Sequence, residues 1–155
     1  MFEGGTKNRI LEVGNRLFFE KGFDGTGVRE IMKEVGADVG AFYYYYKSKD
    51  ELFEDVLNNF FAPYEVYFEK IASEAEHRPY RALLRFFEYV KLSTREFRAK
   101  YDGHIHKTVR WAIREQTLTV LEPYIERIIN ILISYGGKPT MNAHTMAIFL
   151  SHGVG

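Results

Sequence analysis

The chain contains no cysteine among its 155 residues. That excludes disulfides and thiolate metal sites and makes an intracellular compartment the expectation. Net charge is missing as well, since 21 Lys and Arg face 21 Asp and Glu. Proteins that bind polyanions through a bulk field usually carry a basic surplus, so any nucleic-acid contact here must rest on individually placed groups. The balance also holds locally. Over residues 1–50, Lys7, Arg9, Arg16, Lys21, Arg29, Lys33, Lys47 and Lys49 are matched by Glu3, Glu12, Glu20, Asp24, Glu30, Glu34, Asp38 and Asp50. Long apolar runs are absent: "MFEGGTKNRI" has no signal-peptide core, and no later stretch is long enough to cross a bilayer. A cytoplasmic protein with no membrane partner is expected. Proline and glycine are sparse inside the periodic segments, which leaves long helices free to form.

What is present is apolar and aromatic. Apolar residues make up 46% and aromatic residues 16% of the chain, ample for the core of one compact unit or two small ones. Period-2 alternation is rare, so the expected fold is all-α. Ile10, Leu11, Val13, Leu17 and Phe18 predict a first helix over Thr6–Lys21, which "KGFDGTG" ends. Val28, Ile31, Met32 and Val35 predict a short second helix, with Gly27 at its N-cap and Glu30 as half of a capping box. Gly36 closes it in a left-handed turn, and Asp38 caps a third helix over Val39–Tyr46. Ser48 and Glu51 form a full capping box for a fourth helix, with a kink or break expected at Pro63. Further helices are expected over 80–100, 105–116, 118–135 and 140–152.

Two short helices joined by a tight turn and braced by a preceding helix make a helix-turn-helix unit. The third helix carries four consecutive tyrosines, which at about 100° per residue point all the way round it. Phe42 and Tyr46 share one face, expected to pack on Leu17/Phe18 and Ile31/Val35. Tyr44 then points outward, flanked by Tyr43 and Tyr45. Phenols at those angles can bond phosphates or touch base edges in a major groove. Gly40 and Ala41 let the helix start approach bases closely, and Lys49 opens the fourth helix where a phosphate could sit.

The stretch "ILEVGNRLFFEKGFDGTGVREIMKEVGADVGAFYYYYKSKDEL" resembles the N-terminal domain of the TetR family of bacterial transcriptional regulators. Leu17, Phe18, Gly22, Phe23, Thr26, Val28, Ile31, Gly36, Gly40, Tyr43, Lys47, Ser48, Lys49 and Leu52 fall in register with the family pattern over about a third of the chain. The resemblance implies an all-helical homodimer whose recognition helices read a palindromic duplex operator. It places Arg29, Val39, Gly40, Ala41 and Tyr44 near bases, and Thr26, Tyr43, Tyr45 and Lys49 near phosphates. It implies a DNA-binding domain over 1–50 and a helical effector-binding and dimerisation domain over 51–155. Gly27, Val39 and Asp38 depart from residues common in the family, as do Tyr44 and Tyr45, where histidines are frequent. Family members carry two C-terminal interface helices, so a chain ending in "TMNAHTMAIFLSHGVG" is either a short member or a fragment.

Aromatic residues are plentiful beyond residue 50. Phe60, Phe61, Tyr64, Phe86, Phe87, Tyr89, Tyr101 and Trp111, with His104, are the expected lining of a pocket for a small apolar or aromatic effector. The competing reading is that these rings pack between helices. Asp102, His104 and His106 lie close in sequence, but i and i+2 face apart on a helix, so no metal site is expected there. His77, His144 and His152 form no constellation in the sequence. G-x-S-x-G, H-E-x-x-H and phosphate-cradling glycine loops are all missing, so neither an enzyme nor a cofactor is expected. The leading expectation is a ligand-released repressor. The alternative is a helical protein-interaction or small-molecule-binding module without specific DNA binding.

Overall fold

The computed structural model describes residues 3–153, and every regular element among them is a helix. In chain order these are α1 (Glu3–Lys21), α2 (Val28–Val35), α3 (Val39–Tyr45), α4 (Lys49–Glu74), α5 (Pro79–Tyr101), α6 (Lys107–Ser134) and α7 (Ala143–Gly153). The all-α expectation holds. The chain forms two compact units: one runs through Phe60 and adds Gly103–Ile113, and the other comprises Phe61–Asp102 and Arg114 onward.

In the first unit, Ile10, Leu17 and Phe18 of α1, Ile31 and Met32 of α2, Phe42 of α3 and Leu52 and Val56 of α4 are all buried. Phe18 is the aromatic hub, 5.8 Å from the Phe23 ring and 5.1 Å edge-on from Phe53. Such ring pairs add about 0.5–1.5 kcal/mol each beyond their buried area. The returning segment is tied in through the main chain: the His106 amide donates to the Phe19 carbonyl at 2.7 Å. It also explains Gly22. Its φ is +79°, and a Cβ there would lie 2.8 Å from Thr108 Oγ1 and closer still to the His106 ring.

In the second unit, one core joins Phe68, Ile71, Ala72 and Ala75 of α4 to Ala82, Phe86 and Val90 of α5. Leu121, Ile125, Ile128 and Ile129 of α6 and Ala143 and Ala147 of α7 complete it. Arg127 fastens its surface, reaching Glu69 at 2.7 Å and Glu76 at 3.4 Å.

Two expectations are corrected. Pro63 does not break α4, and 105–116 and 118–135 are one helix, α6, with Pro123 inside it. A proline removes a single helical donor, here the partner of the Asn59 or Thr119 carbonyl. Both residues are exposed, so water can take the vacated bond. Buried residues on each side, Leu57 and Phe61 before Phe68 in α4 and Ile113 before Leu121 in α6, continue the apolar stripes. Packing outweighs the lost bond.

Candidate nucleic-acid interface

The α2–α3 corner is built by its caps. Gly27 is extended at the α2 N-cap and offers no side-chain bond. Gly36 ends α2 at φ +79°, with its own amide and that of Ala37 both donating to the Met32 carbonyl, at 3.0 and 3.1 Å. Asp38 then starts α3 by accepting from the Ala41 amide at 3.1 Å. At the far end, the Glu51 amide donates to Ser48 Oγ at 3.2 Å while the Glu51 carboxylate accepts from the Lys47 amide at 2.6 Å. The Ser48 half of the capping box expected for α4 is present, while Glu51 reaches one residue further back than the box requires, to Lys47 instead of the Ser48 amide.

α3 sorts the tyrosines. Phe42 is fully buried, Tyr43 and Tyr44 are 59% and 70% exposed, and Tyr45 is half-buried with its ring 4.8 Å from that of Tyr44. Tyr46 is buried as expected, by another geometry: it lies just past the helix with extended backbone (φ −134°, ψ 128°). Its hydroxyl donates to Asp55 Oδ2 at 2.8 Å, and Lys7 Nζ stands 5.2 Å over its ring. Burial, then the bond to Asp55, pushes the Tyr46 phenol well above the ordinary tyrosine range.

The outer face therefore carries Tyr43, Tyr44 and the exposed Gly40, with Val39, Ala41 and Tyr45 partly covered. Arg29, exposed on α2, has no ion-pair partner among the described residues. Neighbouring cations do: Arg16 pairs with Glu20 and Glu34, and Lys21 pairs with Glu30. The Lys21 bond holds the exposed Glu30 carboxyl below its usual range and raises Lys21.

Two residues expected at phosphates are used internally. Thr26 is buried, and its hydroxyl donates to the Gly22 carbonyl at 2.8 Å. Lys49 Nζ donates to the carbonyls of Phe23 at 2.7 Å and Thr26 at 3.0 Å and lies 4.1 Å over the Phe23 ring. Together they lock the turn that sets the start of α2.

The nine residues expected to line an effector pocket are divided. Phe60, His104 and Trp111 belong to the first unit, and Phe61, Tyr64, Phe86, Phe87, Tyr89 and Tyr101 to the second. Phe86 and Tyr89 pack around Phe68, at 5.0 and 5.5 Å between ring centres, with Tyr124 at 5.6 Å. Tyr67 stacks on Tyr89 at 4.8 Å. Burial pushes the phenols of Tyr64, Tyr89 and Tyr124 upward. The second unit also has an open cleft of about 630 Å³ lined by Glu76, Pro123, Glu126, Arg127, Asn130, Ile131 and Ser134. None of the expected aromatic residues lines that cleft.

Of the histidines, His104 is exposed, and His106 Nδ1 lies 2.8 Å from Thr108 Oγ1. His144 does meet ligand-type neighbours, Glu122 and Glu126 of α6. The i, i+4 spacing of the two glutamates is readable in the sequence, whereas the approach of His144 from α7 depends on the tertiary fold.

Comparison with known proteins places these features. Residues 10–56 match the model described as bacterial regulatory proteins, tetR family. The chain is 41% identical over 142 residues to the "Probable HTH-type transcriptional regulator YttP" of Bacillus subtilis, covering 86% of this chain and 65% of that protein. It is 26% identical over 86 residues to the transcriptional repressor NemR of Escherichia coli, covering 56% of this chain and 43% of NemR. The chain thus spans less than two thirds of these relatives' length. In fold it matches the reduced form of E. coli NemR with a TM-score of 0.65 at 16% identity, over 97% of this chain and 83% of that one. It matches Pseudomonas aeruginosa NalD, secondary repressor of the MexAB-OprM multidrug efflux pump, with a TM-score of 0.66 at 20% identity, over the same shares.

Proposed function

Because the chain belongs to the TetR family of bacterial regulatory proteins, we propose that it is a ligand-responsive transcriptional repressor acting in the cytoplasm. Two copies bind a palindromic operator, one α3 per half-site, and a small apolar or aromatic effector releases them. The observation that carries this reading is α3 itself: two phenols exposed side by side on a short helix whose opposite side is anchored by the buried Phe42. A neutral chain gains little from non-specific phosphate attraction, so affinity must come from such placed contacts and from pairing two half-sites.

In this reading Arg29, Val39, Gly40, Ala41 and Tyr44 meet base edges, with the Val39 methyls suited to a thymine methyl. Tyr43 and Tyr45 bond phosphates. Thr26 and Lys49 act through the turn they hold. Effector control is an energy difference: the ligand lowers operator affinity only as far as it favours the non-binding arrangement of the dimer. α4 is the element that transmits it, being one unbroken helix from the Ser48 cap to Glu74.

The test is a selection from randomised duplex DNA with non-specific competitor at moderate salt. Enrichment of a palindrome with half-sites about one helical turn apart is expected. A folded, full-length protein that enriches no sequence overturns the reading.

A further inference from the structure

We propose that Glu122, Glu126 and His144 form a binding site for one divalent transition cation of the Zn²⁺ type, joining α6 to α7. The candidate ligand atoms, a carboxylate oxygen from each glutamate and a ring nitrogen of His144, all lie within 4.8 Å of one another. His144 Nδ1 is 3.3 Å from Glu122 Oε1 and 3.2 Å from Glu126 Oε2. A tetrahedral ion with bonds of about 2.0–2.2 Å requires its ligand atoms to stand roughly 3.3–3.6 Å apart. Both nitrogen-to-oxygen separations therefore already approximate edges of that tetrahedron.

The chemistry of the donors selects the ion. Two carboxylates and a neutral imidazole supply two negative charges, which a dication neutralises. An imidazole beside carboxylates suits Zn²⁺ or Co²⁺, while Mg²⁺ and Ca²⁺ favour oxygen ligands throughout. The neighbouring cation does not compete, because Arg127 is committed to Glu69 and Glu76. The three side chains are held from below. Leu121 and Ile125 flank the glutamates on α6 and lie in one core with Ala143 and Ala147, which bracket His144 on α7. Asn142 fixes the start of α7 by accepting from the Thr145 amide at 2.8 Å. The two backbones are thus set by packing, and only side-chain rotation separates the present arrangement from a coordinated one. Three protein ligands with an exposed histidine leave a fourth position for water or a small anion.

The same cluster without metal is a histidine facing two carboxylates, and direct binding separates the two states. Metal-stripped protein is titrated with Zn²⁺ against a chromophoric chelator, and Co²⁺ is used to report geometry by its visible spectrum. Saturation at one Zn²⁺ per chain and the intense absorption of tetrahedral Co²⁺ are expected. His144→Ala and Glu126→Gln should each weaken binding at least tenfold with helicity unchanged, since even outer-shell changes at metal sites cost about 10–100-fold. His77→Ala, at an exposed histidine outside the cluster, should leave Zn²⁺ binding unchanged. If His144→Ala misfolds, Glu126→Gln and Glu122→Gln carry the test alone. Absence of stoichiometric Zn²⁺, or an affinity that both glutamate variants retain, means an adventitious ion only and overturns the site.

Discussion

The phenol of Tyr46 donates to the carboxylate of Asp55 at 2.8 Å, from a residue that has already left its helix. Lys7 stands 3.7 Å from the same carboxylate, so the bond joins the end of α3 to α4 at a point that α1 also touches. Tyr46→Phe keeps the ring and removes the bond. A loss of about 0.5–1.5 kcal/mol in urea-unfolding stability is expected. A variant as stable as the parent would show that water replaces the hydroxyl without cost.

The same pair predicts a pH dependence. Folding favours the neutral phenol, so the Tyr46 pKa is raised above its unfolded value. The stabilisation is fully present below the unfolded value, about pH 10, and is lost as pH rises through the folded one. Stability of the parent should therefore fall more steeply than that of Tyr46→Phe at alkaline pH. Parallel curves would remove the linkage.

Lys49 is expected to act on the fold. Lys49→Met removes the ammonium from the carbonyls of Phe23 and Thr26 and from the Phe23 ring. Bonds from charged donors contribute about 1.5–3 kcal/mol, and partial exposure places the expected loss near the lower end. Thermal unfolding measures it directly. An unchanged midpoint with weakened DNA binding would instead return Lys49 to the phosphate backbone.

Gly22 is predicted to tolerate no side chain, for two separable reasons. Gly22→Ala meets both an unfavourable positive φ and the His106 ring, costing about 1–3 kcal/mol for the backbone alone. Adding His106→Ala should recover the steric part and leave the backbone part. A double-mutant cycle in chemical denaturation reads the difference. Strict additivity would mean that the ring does not obstruct.

On the exposed face, Tyr44→Ala should cost about 1–3 kcal/mol in binding to the selected operator and relax the sequence preference at one position per half-site. Tyr43→Phe should weaken all duplexes similarly, by removing a phosphate bond. Neither should alter the slope of affinity against salt, because neither residue is charged. Fluorescence anisotropy on matched and scrambled duplexes distinguishes these outcomes.

The parts of this architecture legible in the sequence are those governed by near neighbours. Asp38, Ser48 with Glu51, and Gly36 announce helix ends because their bonds close within a turn of chain. The burial of Phe42 followed from helical spacing alone. Tyr46 was legible as core but not as a residue beyond the helix, since its burial comes from Asp55 and α4. The continuity of α6 was hidden by Pro123, whose local penalty is visible while the packing that outweighs it is not. The inward turn of Thr26 and Lys49, and the meeting of His144 with two glutamates, depend on residues brought together only by the folded chain.

The return of Gly103–Ile113 to the first unit also governs when that unit can form. On a ribosome, α1 to α3 emerge early, yet the carbonyl of Phe19 and the space beside Gly22 wait for His106. All of α5 must be synthesised first. At about 5–20 residues per second, the helix-turn-helix spends several seconds as an incomplete body, held only by its local contacts. Its final closure is then tied to the synthesis of the whole of α5, so a translation product that stops before His106 would lack a finished first unit.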